Sequence, residues 1–332
     1  MSLDHAATKP HDRLALALAT EMAQVNTLIA TRMASEHAPR IPEVTAHLVE
    51  AGGKRLRPML TLAAARICGY DGPFHIHLAA TVEFIHTATL LHDDVVDESA
   101  QRRGRPTANL LWDNQSSVLV GDYLFSRSFQ LMVETGNLTV LDILANASAT
   151  IAEGEVLQLS AAQDLATTED IYFKVIRGKT AALFAAATQV GAVIADQDDE
   201  IINALRNYGD ALGISFQIVD DLLDYSGTDA IGKNIGDDFR ERKLTLPVIK
   251  AIAAADKTEL VFWDKTIAKG KQDDGDLQHA LDLMAKYQTL DATRDQAMYW
   301  AAQAKDALGP LPQSDLKDML SDLAEYVVAR VT

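Results

Sequence analysis

LAATVEFIHTATLLHDDVVD, residues 78–97, is a run of apolar and small side chains that ends in three aspartates, Asp93, Asp94 and Asp97. Residues 78–92 are apolar on nearly every side of a helical projection, which places such a helix in the middle of a large bundle rather than on its surface. If the helix continues through the DDxxD, Asp93 and Asp97 lie one turn apart on one face. A second copy stands in FQIVDDLLDYS, residues 216–226, with Asp220, Asp221 and Asp224. Carboxylates crowded into an apolar setting repel one another and are costly to desolvate. A hard divalent cation removes that cost, and Mg²⁺ prefers a few carboxylates together with the oxygens of a phosphorylated substrate. Two such claws predict metal ions that hold one diphosphate between two helices.

The rest of the chain extends the helical reading. No proline occurs between Pro106 and Pro247. Apolar residues recur at helical spacing, as in Val118, Tyr123, Phe125, Phe129 and Met132, or Leu205, Leu212, Phe216, Val219 and Leu223. Segments 142–152 and 180–195 also read as helices apolar nearly all round. Turn signals fall at Gly52-Gly53, 69–73, 135–137, 195–199 and Gly309-Pro310, and 167–170 and 196–200 carry helix-starting residues. Strand-type alternation is nearly absent. The expectation is one all-α domain over residues 1–332, of ten or more helices, with residues 1–12 outside the packed part. The polar, acidic stretch from about residue 255 reads as outer helices. The Phe125, Phe129, Met132 stripe reads as core bordering a product tunnel.

Charge and cysteine content narrow the function. A net charge of −17 disfavours a nucleic-acid partner. The few cations gather in short clusters, Lys54-Arg55-Arg57, Arg102-Arg103-Arg105, Arg177-Lys179 and Arg240-Arg242-Lys243, as a pocket for small phosphorylated anions requires. The single cysteine, Cys68, excludes a disulfide framework, fits a reducing cytosol, and reads as a small buried hydrophobe. The N-terminus lacks a secretory pattern, and no uncharged apolar stretch is long enough to span a membrane.

The motifs GGKRLRP, LLHDDVVDESAQRRGRPTAN, GDYLFSR, EGEVLQL, GKTAALF, FQIVDDLLDYSG and GKNIGDDFRERKLTLP occur in this order across about 200 residues. In this they resemble the trans-isoprenyl diphosphate synthases, most of all the long-chain octaprenyl to decaprenyl diphosphate synthases that supply quinone side chains. The resemblance implies a single helical bundle of the isoprenoid synthase type with a central apolar cavity. It also implies a cytoplasmic homodimer, two to three Mg²⁺ ions, and isopentenyl diphosphate condensing repeatedly onto an allylic diphosphate such as farnesyl diphosphate. Asp93, Asp94 and Asp97 match the first metal motif; Asp220, Asp221 and Asp224 match the second, with Asp220 the foremost direct ligand. Arg102, Lys179 and Lys233 match cations that grip the allylic diphosphate. Lys54, Arg57, His86 and Arg103 match the pocket for isopentenyl diphosphate, and Gln217 and Thr180 match polar groups beside the reacting carbons. On this reading His92 is packing or a support behind the metal ligands, and Arg55, Arg105 and Arg240 are solvated. Small residues at Ala88 and Thr89, one turn before Asp93, imply an open path for a long product. A shorter-chain synthase, a class I terpene cyclase, and a non-catalytic helical subunit or acidic Ca²⁺-binding protein are the alternatives. The second DDxxD and the extra cationic cluster disfavour the cyclase, and the absence of a DxDxDG loop disfavours the Ca²⁺-binding reading.

Overall fold

The structure, a computed structural model, describes residues 9–50, 53–226 and 235–331. Its helices are α1 Pro10–Ala17, α2 Ala19–Met33, α3 Arg40–Glu50, α4 Leu56–Ile67, α5 Phe74–Val96, α6 Ala108–Leu111, α7 Asn114–Glu134, α8 Leu138–Ala161 and α9 Glu169–Ile176. A π-helical turn, Arg177–Ala181, leads into α10 Ala182–Ile194. Then follow α11 Asp199–Ser226, α12 Asp237–Arg240, α13 Leu246–Ala254, α14 Lys257–Trp263, α15 Asp276–Lys286, α16 Thr289–Ala307 and α17 Asp315–Val328. Among the described residues the only sheet is one antiparallel pair, β1 Gln101–Arg102 with β2 Arg105–Pro106. The all-α expectation holds. The first helix already begins at Pro10, inside the segment expected to lie outside the packed part.

Contacts group the chain into two units: residues 1–148, 183–206 and 310–320, and residues 149–182, 207–309 and 321–332. In the first unit α5 packs against α2, α4 and α7. Its buried side chains, among them Leu78, Val82, Phe84, Ile85, Ala88 and Leu91, point in every direction around the axis. Full burial of each large one stabilises the fold by about 1.5–3 kcal/mol relative to exposure. Two glycines permit close helix contacts. A Cβ at Gly121 of α7 would stand 2.3 Å from Nε2 of His92, and one at Gly191 of α10 would stand 2.7 Å from the backbone nitrogen of Ala65.

In the second unit α13 packs against α9, α15 and α16. Its core gathers Tyr225, Phe239, Val248, Ile252, Trp263, Ile267 and Met284. The helix starts read from sequence are realised with caps. The Thr168 side chain accepts from the Ile171 N–H at 3.4 Å, and the Asp198 carboxylate accepts from the Ile201 N–H at 3.0 Å.

The α7 stripe is a correction. Met132 is buried, but Phe129 and Val118 are each 39% exposed, and the buried face runs through Ser117, Val120, Gly121, Leu124, Ser128 and Leu131. Small residues occupy that face because α5 lies so close. Segment 142–152 departs likewise: Leu144, Ala147, Ser148 and Ile151 are buried, whereas Ala149, Thr150 and Ala152 are exposed.

Candidate active site

Both aspartate motifs sit at helix C-termini, where the backbone dipole adds negative charge to that of the side chains. Asp93 lies in the last turn of α5, and Asp97 caps it, its N–H donating to the Asp93 carbonyl at 2.8 Å. The one-turn spacing expected of the pair is therefore kept. Asp220, Asp221 and Asp224 occupy the last turns of α11.

The carboxylates differ in their surroundings. Asp94 is fully buried; its Oδ1 accepts from Arg102 Nε at 2.9 Å and Nη2 at 2.8 Å, while its Oδ2 accepts nothing. Asp221 accepts from the Tyr172 hydroxyl at 2.6 Å and from Gln217 Nε2 at 2.8 Å. Asp224 Oδ2 accepts from the Asp238 N–H at 3.0 Å. Asp93 and Asp220 are partly exposed and Asp97 is exposed.

Burial, with repulsion from Asp220, lifts Asp221 to about 7 against the hydrogen bonds it accepts. Burial and repulsion from Asp221 and Asp224 lift Asp238 to about 8. The orphaned oxygen of Asp94 and the lifted carboxyls beside Asp224 are an excess of hard oxygen donors that a divalent cation would satisfy. Among the described residues no three such side chains close into a metal cage by themselves.

Arg102 and Arg103 are placed by the small hairpin. Arg103 (φ 54°) and Gly104 (φ 75°) both have positive φ, the geometry of a tight two-residue turn. The turn sends Arg102 back onto Asp94. In this structure Arg102, expected to grip a diphosphate, is engaged by a motif carboxylate. Arg103 lies over Gly53, where a Cβ would stand 2.6 Å from its Nη1.

A second cluster surrounds the middle of α5. Arg57 Nη1 stands 3.2 Å from His86 Nε2, and its guanidinium lies 4.4 Å from the centre of the Phe184 ring. Arginine has only donors, so Nε2 of His86 is the acceptor and its ring is neutral. Burial, with Arg57, Arg103, Arg102 and Arg55 nearby, holds His86 well below its ordinary range. Burial also brings Arg57 down to about 10, an effect that Glu83 opposes and Arg103 adds to.

Glu83, one turn before His86, is the anion of this cluster and went unnoticed in the sequence. Its Oε1 lies 2.9 Å from Arg55, with both side chains largely shielded. Burial pushes its carboxyl upward, while Arg55, Arg57 and Arg103 pull it down. Arg55 is therefore paired rather than solvated, a correction explained by its left-handed backbone (φ 48°), which starts α4. Arg105 is exposed, and Arg240 is half-exposed beside Asp237, as expected of solvated groups. Lys54 is exposed. The Nε2 of His92 lies 3.1 Å from the Val118 carbonyl.

Lys179 and Thr180 occupy the π-helical turn, a feature often found at functional sites. Gly154 of α8 lets the turn approach, since a Cβ there would stand 2.8 Å from the Lys179 nitrogen. Lys179 pairs with Glu155 at 3.0 Å, a partner supplied by the EGEVLQL segment. The Thr180 hydroxyl donates to Gln217 Oε1 at 2.8 Å. Ala88 has no exposed surface whereas Thr89 is partly exposed, so of the two residues expected to open onto the product only Thr89 keeps a free edge. Burial raises Cys68 to about 11, so its thiol stays protonated. Lys233, with Gly227 and Gly232 of the glycine-rich stretch, lies outside the described residues.

A helical protein with aspartates at two helix ends and an arginine cluster around a neutral histidine belongs with enzymes that handle diphosphates. A family model described as Polyprenyl synthetase matches residues 38–284, and the chain belongs to that family, whose members are prenyltransferases that use divalent metal. It is 43% identical over 313 residues to the octaprenyl diphosphate synthase of Escherichia coli (strain K12), covering 94% of this chain and 96% of that protein. Among solved structures, a decaprenyl diphosphate synthase from Rhodobacter capsulatus superposes with a TM-score of 0.95 at 73% identity, covering 97% of this chain and 99% of the other. A polyprenyl synthase from Caulobacter crescentus CB15, complexed with calcium and isoprenyl diphosphate, gives 0.91 at 50% identity, covering 97% and 98%.

Proposed function

We propose that this chain is a Mg²⁺-dependent trans-prenyltransferase that adds isopentenyl diphosphate repeatedly to an allylic diphosphate. Its product is then an all-trans polyprenyl diphosphate of octaprenyl to decaprenyl size for a quinone side chain. The observation that carries the reading is the division of labour on α5. Its C-terminal end holds the carboxylates Asp93 and Asp97, and two turns earlier His86 joins Arg57 in a cluster without surplus carboxylates. One end suits a metal-bound diphosphate that must leave; the other suits a diphosphate that must stay.

Asp93 and Asp97 in the first motif, and Asp220 in the second, would hold divalent metal, which would supply positive charge to the departing diphosphate. Lys179 and Arg102 add fixed cations there, as would Lys233. Arg102 would exchange part of its hold on Asp94 for a phosphate oxygen. Lys54, Arg57 and Arg103 bind isopentenyl diphosphate without promoting its ionisation, the arginines through bidentate contacts. Asp94, Asp221 and Asp224, each already holding at least one protein donor, act chiefly as supports, and the free Oδ2 of Asp94 stays open to metal. The allylic diphosphate ionises, the alkene of isopentenyl diphosphate attacks the cation, and released pyrophosphate takes the proton lost from the adduct.

A cytoplasmic homodimer completes the proposal. α7 leaves Leu119 67%, Val133 64% and Phe129 39% exposed, an apolar face that a second copy would cover. No single helix among the described residues is long and apolar enough to cross a membrane.

Mass analysis of the product formed from farnesyl and isopentenyl diphosphates with Mg²⁺ tests the function. An octaprenyl to decaprenyl ladder supports it. A cyclised hydrocarbon made without consumption of isopentenyl diphosphate refutes it.

A further inference from the structure

Tyr172 has no role in the reaction as proposed, yet it ends a chain of three short hydrogen bonds. It is buried on α9, 4% exposed, and its hydroxyl donates to Asp221 Oδ2 at 2.6 Å. The other oxygen of Asp221 accepts from Gln217 Nε2 at 2.8 Å, one turn earlier on α11. Gln217 Oε1 then accepts from the Thr180 hydroxyl at 2.8 Å. Asp221 and Thr180 are each 6% exposed, and Gln217 between them is partly exposed.

The chemistry of the groups sets the direction of the amide. The NH₂ end of Gln217 faces Asp221 and its carbonyl faces Thr180, and the two hydrogen bonds from Tyr172 and Gln217 favour the ionised form of Asp221, which only accepts. Turning the amide over would bring its oxygen against a carboxylate oxygen in a buried place, two acceptors without a proton between them. Asp221 can serve as this anchor only while it is itself held, and the Tyr172 hydroxyl on the opposite oxygen holds it.

We infer that Tyr172 and Asp221 lock the Gln217 amide so that its carbonyl oxygen, rather than its NH₂, is offered on the Thr180 side. The inference rests on the proposed placing of Gln217 and Thr180 beside the reacting carbons. A developing allylic cation is stabilised by a fixed carbonyl dipole and opposed by N–H donors, so the orientation matters for ionisation and not for binding either diphosphate. Tyr172 is thus a positioning residue that acts through Asp221. Each oxygen of Asp221 accepts one of these bonds, so Asp221 serves chiefly as an anchor and Asp220 as the foremost direct metal ligand of the second motif.

The test is a double-mutant cycle in the full chain, with farnesyl and isopentenyl diphosphates and Mg²⁺. Tyr172→Phe removes one hydroxyl and keeps the ring. It is expected to lower kcat about tenfold, with both KM values, the Mg²⁺ activation midpoint and the melting temperature little changed. In a Gln217→Ala background the same change should cost less than about twofold further. Asp221→Asn should lower kcat without moving the Mg²⁺ midpoint, whereas Asp220→Asn should move it.

Multiplicative losses in the cycle, a Tyr172→Phe enzyme with wild-type kcat, or an Asp221→Asn midpoint shifted as far as that of Asp220→Asn would each overturn the lock. If Tyr172→Phe does not fold, Asp221→Asn completes the cycle with Gln217→Ala, and additivity again overturns it. A fully active Gln217→Ala enzyme overturns the underlying placement as well. A slow Gln217→Ala enzyme beside an unaffected Tyr172→Phe enzyme overturns the lock alone.

Discussion

Replacing Thr89 by phenylalanine tests how product length is set. Thr89 lies four residues before Asp93 on α5, about 6 Å along the axis at about 1.5 Å per residue. That distance is little more than one isoprene unit. Helical side chains lean toward the N-terminus, so a ring at 89 projects away from the metal end and across the path of the growing chain. The folding cost is small: threonine and phenylalanine have similar helix propensities, and the lost hydroxyl bond to the His86 carbonyl at 2.9 Å is local. Ala88 differs, since it has no exposed surface, and a ring there overpacks α5 at a cost of about 1–3 kcal/mol. Thr89→Phe is therefore expected to stop at farnesyl or geranylgeranyl size while consuming starter normally, with an unchanged melting temperature. Ala88→Phe should melt several degrees lower. Products are sized by mass spectrometry and stability by thermal melting on the same preparations. Wild-type product length from Thr89→Phe, or an Ala88→Phe enzyme of full stability, would refute the assignment of the free edge to Thr89.

Four further outcomes are expected. Asp93→Ala and Asp220→Ala should each nearly abolish turnover with far-UV circular dichroism preserved, and chelation by EDTA should do the same reversibly; activity close to wild type in either mutant would contradict the metal assignment. Arg103→Ala and Lys54→Ala should chiefly raise KM for isopentenyl diphosphate, and Arg102→Ala that for the allylic substrate, by steady-state kinetics. Glu83→Gln leaves the partly buried Arg55 and Arg57 without their counter-charge and should lower the melting temperature, whereas Glu83→Asp should restore part of the loss. Burial holds His86 below its ordinary 6.5, so below that pH the unfolded chain binds more protons and stability falls with pH. The fall from pH 7 to 5 should be shallower in His86→Gln, as read by chemical denaturation.

The helices were legible where one strong pattern had no rival. A segment as apolar as 78–92 has few places to go except the interior, and α5 lies against α2, α4, α6 and α7. Where two patterns compete, packing decides, and sequence periodicity cannot show which wins. On α7 the aromatic residues made the more conspicuous stripe, but the face turned inward is the one with Ser117, Gly121 and Ser128. Only small side chains let α7 come so near His92 of α5. Hydrophobicity says how much a residue gains from burial; size says whether another helix can come near enough to bury it.

The site shows the same limit in its electrostatics. Motif spacing singled out the aspartates, and the family resemblance the cations, because metal and diphosphate binding demand those residue types in numbers. It could not identify their protein partners, since an ion pair across helices leaves no periodic trace. Glu83 lies one turn from His86, Glu155 lies in the EGEVLQL segment, and Tyr172 lies 49 positions from the aspartate it holds. These three decide which way Arg55, Lys179 and Gln217 face. They also divide the six motif aspartates into unequal sets. Asp94, Asp221 and Asp224 each give at least one oxygen to Arg102, Tyr172, Gln217 or the Asp238 amide, which on the proposed reading stiffens both motifs before any metal arrives. A motif of three aspartates is thus built from two kinds of carboxylate, one that meets the ligand and one that holds the helix end in the shape the ligand needs.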